Sequence, residues 1–124
     1  MPARFLIVDD EAAVRSLYAR ALELDGYETQ AAATADEALT LIRTAPPDAI
    51  LLDLKLPFID GVGFLYRLRE THPRLPVAII TGMEQLDEAT RDEIRSLGAE
   101  LHYKPVRTTD LQSIARRLLT DPTH

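Results

Sequence analysis

Residues 5–10 read FLIVDD, four apolar side chains followed at once by two acids, and residues 49–53 repeat that arrangement as AILLD. Short, continuous apolar runs of this kind are typical of strands that are buried on both faces of a sheet. Two further runs fit the description, at 77–80 (VAII) and, more briefly, at 101–103 (LHY), and residues 27–32 form a weaker candidate. Strands buried on both faces predict a parallel sheet that is covered by helices.

Amphipathic stretches with helical spacing separate the candidate strands. The apolar positions that mark five predicted helices are Val14, Leu17, Tyr18, Ala21 and Leu22; Ala38, Leu39 and Ile42; Phe64, Leu65 and Leu68; Leu86, Ile94 and Leu97; and Leu111, Ile114, Ala115, Leu118 and Leu119. Gly61 is predicted to open the third helix, and Gly26 and Gly98 are predicted to end the first and fourth. We therefore expect an α/β domain with the flavodoxin-like (βα)5 fold, a doubly wound five-stranded parallel sheet of order 2-1-3-4-5 in a three-layer sandwich.

Length and composition predict one soluble domain spanning 1–124, which we expect to be cytoplasmic, a setting compatible with the absence of cysteine. A (β/α)8 barrel is excluded because it needs about 250 residues. The chain has no cysteine, which excludes disulfides and thiolate chemistry. It carries 20 acids against 14 bases, a balance that disfavours a nucleic-acid surface. No apolar run is long enough to predict a membrane span, and no signal peptide is visible.

Every strong apolar run is followed by a polar residue. These residues are Asp9 and Asp10, Asp53, Thr81 and Lys104. Because the carboxyl ends of parallel strands lie at one edge of a sheet, we expect all five side chains at that edge. Ligands of open α/β sheets bind outside this edge where the strand order reverses, between the first and third strands. Those are the strands that end in the three aspartates.

Three carboxylates in such a cluster repel one another, at a cost of about 4 kcal/mol for two charges 4 Å apart at an effective dielectric constant near 20. Either one carboxylate holds a proton or a cation lies among them. Oxygen ligands alone suit a hard divalent ion such as Mg²⁺ (or Mn²⁺). Thr81 and Lys104 would then supply a hydroxyl and a point charge to phosphoryl oxygens. Asp53, alone at the end of a central strand, is the best candidate for a nucleophile that forms an aspartyl phosphate.

Each of these residues also has an ordinary structural interpretation when taken singly. Asp9 or Asp10 could cap the first helix, and Asp53 could stabilise a turn. Thr81 could simply join a strand to a loop, and Lys104 could be a solvated side chain. The coincidence of four strand ends, each carrying a group that one phosphoryl-transfer site requires, favours the functional interpretation.

Four motifs in order carry a family resemblance: IVDDE at 7–11, LDLKLP at 52–57 running into Asp60-Gly61, ITG at 80–82, and Lys104-Pro105. With these motifs the chain resembles the receiver domain of two-component response regulators, the chemotaxis-regulator type included. The set is specific in this order, although each motif alone is common.

The resemblance covers Phe5 to Leu119 and implies a role for each motif residue. Asp53 would be the phosphoacceptor, and Mg²⁺ would be held by Asp10 and Asp53 directly, by Asp9 through water and by the backbone carbonyl of Lys55. Thr81 and Lys104 would contact the phosphoryl group together with the amides of Leu54 and Gly82, and the Lys104-Pro105 peptide bond would be cis. The family takes its phosphoryl group from a histidine kinase or a phosphotransfer protein.

A conformational switch is also implied by the resemblance. Phosphorylation would draw Thr81 inward and shift the face formed by the fourth helix, the last strand and the last helix. In the family an aromatic residue three positions before the lysine takes part, and here Leu101 stands at that position. Lys55 and Met83 occupy positions that tune dephosphorylation. An output domain is not identifiable, a homodimer on phosphorylation stays open, and no direct contact with nucleic acid or membrane is expected.

Three hypotheses about activity follow. The first is a signalling switch that is not an enzyme, with only self-limited phosphotransfer and autodephosphorylation. The second is a phosphatase of the haloacid dehalogenase type, which needs an aspartate two residues after its nucleophile, where this chain has Glu11. The third is a receiver-like interaction module that works without phosphorylation, a hypothesis that Leu101 keeps open.

Overall fold

The computed structural model describes residues 2–82 and 86–120, over which strands and helices alternate strictly. The elements are β1 (Arg4–Val8), α1 (Ala12–Leu24), β2 (Glu28–Ala32), α2 (Ala35–Thr44), β3 (Ala49–Leu52), α3 (Gly61–Thr71), β4 (Val77–Thr81), α4 (Glu88–Ser96), β5 (Ala99–Tyr103) and α5 (Thr108–Thr120). All strand pairs are parallel, in the order β2-β1-β3-β4-β5. The predicted flavodoxin-like (βα)5 fold is therefore confirmed. In the described part of the chain, no helix is both long enough and apolar enough to span a bilayer.

Two apolar layers, one on each face of the sheet, explain the continuous apolar runs. Successive side chains of a strand point to opposite faces, so each central strand must supply apolar residues to both layers. In β1, Leu6 and Val8 pack in the layer with α2, α3 and α4, whereas Phe5 and Ile7 pack in the layer with α1 and α5. All four side chains are fully buried.

Several boundaries differ from prediction. β1 begins one residue earlier, at Arg4, and β2 begins one residue later, at Glu28. The other differences lie in the second half of the chain. β5 begins at Ala99, two residues earlier than the apolar run indicates, because this edge strand is only half-buried and carries polar residues. Thr81 is the last residue of β4 rather than the first residue of the following loop. α4 begins at Glu88, so Leu86 precedes the helix, although its side chain is still buried. Met83, the second position linked to dephosphorylation, lies outside the described residues.

The loop between β3 and α3 is fixed at the point where the helix begins. The Gly61 amide donates a hydrogen bond of 2.7 Å to the Leu54 carbonyl oxygen, and the Asp60 side chain caps α3 by accepting from the Gly63 amide at 2.7 Å. A Cβ atom on Gly61 would lie 2.6 Å from the Leu54 Cα and 2.9 Å from the Asp53 carbonyl oxygen. Only glycine therefore allows the helix to start this close to the end of β3.

We expect Gly61→Ala to lower the free energy of unfolding by about 2–4 kcal/mol, because the clash is with backbone atoms that cannot rotate away. Urea denaturation measures the change. Gly82→Ala is the matched control, since among the described residues the nearest atom to its Cβ would be the Lys104 Cδ at 3.9 Å, an ordinary contact. Equal stability of the two variants would contradict the expectation.

Arg69 ties the end of α3 to two neighbouring segments. Its Nε donates to the Leu97 carbonyl oxygen at 2.7 Å, and its Nη1 donates to the His72 and Leu75 carbonyl oxygens at 2.8 Å each. Arg69→Met keeps the apolar stem but leaves these part-buried carbonyls without the guanidinium, so we expect the free energy of unfolding to fall by about 2–4 kcal/mol. The exposed Arg67, changed to Met, should move the urea midpoint little. A comparable loss in both variants would show that the three hydrogen bonds contribute nothing particular.

Candidate functional site

Three carboxylates meet at the carboxyl edge of the two central strands. The Asp9 amide donates to the Ala32 carbonyl at 3.1 Å and the Asp53 amide donates to the Val8 carbonyl at 2.9 Å, so sheet-like hydrogen bonding continues through both residues. Asp9, Asp10 and Asp53 each offer an oxygen, and these oxygens all lie within 4.8 Å of one another. Asp9 and Asp53 are 2% and 5% exposed, whereas Asp10 is exposed. The cluster is therefore open to solvent on the side of Asp10.

Local turns fix the orientation of the two buried carboxylates. Asp9 Oδ1 accepts from the Glu11 amide at 2.9 Å, and Asp53 Oδ1 accepts from the Lys55 amide at 3.1 Å. These are turns in which a side-chain oxygen binds the backbone two residues further on. The helix-cap interpretation of Asp9 and Asp10 is wrong, because the N-cap position of α1 is occupied by Glu11, whose side chain makes no capping hydrogen bond.

Lys104 bridges the ends of β1 and β3 from the far side of β4. Its Nζ donates to Asp9 Oδ2 at 2.8 Å and to Asp53 Oδ2 at 2.7 Å. The side chain is 17% exposed, so the interpretation of Lys104 as a solvated residue is wrong. Its backbone amide donates to the Thr81 carbonyl at 2.8 Å, and the Lys104–Pro105 peptide bond is cis.

Burial and charge oppose each other in this cluster. Burial lowers the pKa of Lys104, but its hydrogen bonds to Asp53 and Asp9 and the charges of both carboxylates outweigh that effect and raise the pKa well above its ordinary value. Burial raises the pKa of Asp9 by more than the Lys104 bond and charge lower it. The cluster contains one ammonium group, that of Lys104, and three carboxyl groups. A single positive charge does not balance three carboxylates, so the site has room for further positive charge.

The remaining predicted residues surround this cluster at the same edge. Thr81, fully buried, ends β4, and Gly82 follows it. Leu54 is buried directly after Asp53, while Lys55 is exposed. Leu101 lies in β5 opposite Ile79 and packs, half-buried, against the apolar layer formed with α2, α3 and α4. Among the described residues, the structure thus brings every predicted position except Leu101 to the carboxyl ends of the strands.

Two residues of α1 adjoin the site without having been predicted there. Arg15 Nη1 donates to the Asp9 carbonyl oxygen at 2.8 Å, which holds the turn before α1. Tyr18 was expected only to pack; it does pack, but it also lines a narrow void with Asp9 and Asp53, and burial raises the pKa of its hydroxyl. Nothing in the sequence marks either residue as part of the site beyond its place in the first two turns of α1, the helix that follows the two acids.

The strand order, the acidic cluster and the bridging lysine define a doubly wound α/β domain with a polar site at its switch point. The family model of the response regulator receiver domain matches residues 5–116. The chain therefore belongs to the response regulator receiver domain family. Receiver domains of this family are phosphoacceptors in two-component signalling.

Relatives and solved structures agree with this assignment. Sporulation initiation phosphotransferase F of Bacillus subtilis is 32% identical over 120 residues, which cover 96% of this chain and 95% of the relative. Response regulator MprA of Mycolicibacterium vanbaalenii is 40% identical over 88 residues, covering 71% of this chain. The receiver domain of NtrX from Brucella abortus superposes with a TM-score of 0.85 at 36% identity, covering 94% of this chain and 98% of that one.

The relatives differ in how much of their length the chain spans. The matched region is 38% of MprA, whereas it is 95% of the Bacillus subtilis protein. The family thus includes longer proteins with a receiver domain as one part and short proteins of about this length. The activity of a whole protein that contains this chain is accordingly a matter of proposal.

Proposed function

We propose that the chain is a phosphoryl-accepting switch of a two-component phosphorelay in the cytoplasm, and that Asp53 takes the phosphoryl group from a histidine kinase or a phosphotransfer protein. The observation that carries the proposal is the contact of Lys104 Nζ with Asp53 Oδ2 at 2.7 Å. It joins a charged donor to a buried carboxylate across 51 residues of sequence. A phosphoryl group on Asp53 would find that donor already in place.

The donor set fits a hard divalent cation. The described residues offer three carboxylates within 4.8 Å, and the Lys55 carbonyl lies two residues beyond Asp53; all are oxygen ligands, as Mg²⁺ or Mn²⁺ prefers. Asp10 and Asp53 would bind the ion directly, Asp9 through water, and Lys55 through its backbone carbonyl. When bound, the ion would supply positive charge to the carboxylates and to the phosphoryl oxygens.

The chain's own residues then have distinct tasks in the transfer. An Asp53 carboxylate oxygen attacks the phosphorus, the bond from phosphorus to the donor nitrogen breaks, and an acyl phosphate forms. Lys104 donates to a phosphoryl oxygen, joined by the Thr81 hydroxyl and by the amides of Leu54 and Gly82. The chain works as a phosphoacceptor. In the self-limited autodephosphorylation, water attacks the phosphorus, inorganic phosphate leaves, and the Asp53 carboxylate is restored.

The output of the switch would be a changed surface. Thr81 ends β4, and its carbonyl oxygen accepts from the Lys104 amide, so movement of either residue reaches the end of β5. Leu101 lies on β5 within the face formed by α4, β5 and α5. Because leucine has no hydroxyl, the change at this position would be a shift of apolar packing rather than an exchange of hydrogen bonds. A homodimer formed through this face on phosphorylation is open to measurement.

Incubation with acetyl phosphate and MgCl₂ followed by intact-mass measurement tests the proposal. We expect one phosphoryl group per chain, and no adduct when EDTA replaces the magnesium. Sustained turnover of a phosphomonoester would instead support the phosphatase hypothesis. Absence of an adduct from acetyl phosphate and from every kinase tried would support an interaction module that works without phosphorylation.

A further inference from the structure

Phe58 is the most exposed large apolar side chain among the described residues. Its side chain is 100% exposed, compared with 73% for Leu24 and 55% for Leu17. It lies in the loop between β3 and α3, five residues after Asp53. A single exposed apolar side chain is ordinary on a protein surface, so exposure alone does not argue for a role. Here it leaves the whole ring free to be buried by a partner, and the backbone supplies a second, independent observation.

The backbone at Phe58 is also in an unfavourable conformation. Its φ is 71°, and Phe58 is the one residue other than glycine with positive φ in the described ranges. The Ile59 amide donates to the Pro57 carbonyl oxygen at 2.8 Å, which closes a three-residue turn around Phe58. Turns of this hand are rare and strained when the central residue carries a side chain. Glycine or asparagine would adopt the turn at lower cost.

The loop that carries Phe58 is held firmly beside the site. At one end the Lys55 amide binds the Asp53 side chain, and at the other the Gly61 amide binds the Leu54 carbonyl. Asp60 caps α3 at the same end. Backbone strain in a turn that is fixed by hydrogen bonds beside a functional group indicates a functional role rather than a flexible loop.

We propose that Phe58 is an apolar anchor for the protein phosphodonor, which would bury the ring in an apolar pocket beside its phosphohistidine; this inference builds on the proposed function. Because Asp53 is only 5% exposed, a protein donor must lie across the rim of the site to bring its phosphorus within reach. The loop from Leu54 to Gly61 forms part of that rim. Acetyl phosphate is small enough to reach Asp53 without touching Phe58, which separates the two kinds of donor.

The test compares both donors on three variants. Phe58→Asn removes the ring and suits the left-handed turn, and Phe58→Leu keeps apolar bulk. Leu24→Gln is the matched control, because Leu24 is an exposed apolar residue at the end of α1, on the opposite edge of the sheet. The protein donor is whichever autophosphorylated histidine kinase of the same genome transfers fastest to the wild type, and acetyl phosphate with Mg²⁺ is the small donor.

We expect Phe58→Asn to lower kcat/KM for transfer from the kinase by about 10-fold or more. Its rate with acetyl phosphate should stay within about twofold of the wild type, since no ring contact is lost. Phe58→Leu should keep most of the kinase rate, and Leu24→Gln all of it. Phe58→Asn should also raise Tm by about 2–5 °C, because it relieves the strained turn.

Each other outcome overturns the anchor. If the kinase transfers equally fast to the wild type and to Phe58→Asn, the anchor is refuted and the proposed function stands. If transfer is unchanged but Phe58→Asn loses self-association, the anchor is also refuted, and the ring is assigned to contact with a second copy of the chain. If the transfer rate of Phe58→Asn falls with both donors, Phe58 belongs to the phosphorylation site itself. A lower Tm for Phe58→Asn would contradict the claim that the turn at Phe58 is strained. If acetyl phosphate gives a normal adduct but no kinase transfers its phosphoryl group to the wild type, the proposal of a surface that binds a protein donor is contradicted. Absence of any wild-type adduct defeats the proposed function and the anchor together.

Discussion

Asp53→Asn is expected to abolish the phosphoryl adduct with acetyl phosphate and with kinase donors alike. The amide has no anionic oxygen to attack phosphorus, so the nucleophile is removed rather than weakened. The fold should survive, because the amide oxygen can still accept from the Lys55 amide and Lys104 keeps its hydrogen bond to Asp9. Intact-mass spectra measure the loss of the adduct, and urea denaturation verifies that the variant is folded.

Asp36→Asn provides the matched control. Asp36 is an exposed aspartate in the first turn of α2 and is not a member of the carboxylate cluster. It should be phosphorylated as fully as the wild type. If Asp53→Asn still forms the adduct, the phosphoacceptor is Asp9 or Asp10, and the assignment of Asp53 is refuted.

Lys104→Met is expected to affect both stability and phosphorylation. The variant leaves the Asp9 and Asp53 carboxylates buried without their ammonium partner, which should lower the free energy of unfolding by about 2–4 kcal/mol in the absence of divalent cations. Phosphorylation by acetyl phosphate should slow by at least about 10-fold, since one donor to the phosphoryl oxygens is lost. Urea denaturation in EDTA and timed intact-mass spectra measure the two effects.

The chain offers a direct stability control, because its other lysine, Lys55, has an exposed side chain. Lys55→Met should change the free energy of unfolding by less than about 0.5 kcal/mol. Added Mg²⁺ should restore part of the stability lost in Lys104→Met, because a cation at the cluster would replace the missing charge. A similar stability of the two lysine variants in EDTA would contradict the account of Lys104.

The fold was largely predictable because its central strands are buried on both faces. Such strands need apolar residues at every buried position, as in Phe5–Val8 of β1 and throughout β3, and the pattern is hard to mistake. β5 was harder because it is an edge strand whose first two residues, Ala99 and Glu100, are only half-buried. Where one side of a strand meets solvent, the apolar run shortens and its start is lost from the pattern.

The site was predictable as a set of positions but not as a set of contacts. Parallel strands place Asp9, Asp53 and Lys104 at one edge, and this follows from the fold class alone. That the lysine bridges both carboxylates depends on the paths of the β4 and β5 ends, which no local pattern encodes. The left-handed turn at Phe58 was likewise invisible, because nothing in an isolated sequence marks a phenylalanine as having positive φ.

The most direct test of the central claim is to locate the phosphoryl group within the chain. Protein phosphorylated by acetyl phosphate with Mg²⁺ is reduced with borohydride, which converts an acylated aspartate to homoserine, and is then digested with trypsin. Cleavage after Arg43 and Lys55 yields residues 44–55, a peptide that contains Asp48 and Asp53. Tandem mass spectrometry should find homoserine at position 53 alone. Homoserine at position 9, 10 or 48, or no homoserine in a phosphorylated sample, would contradict the account.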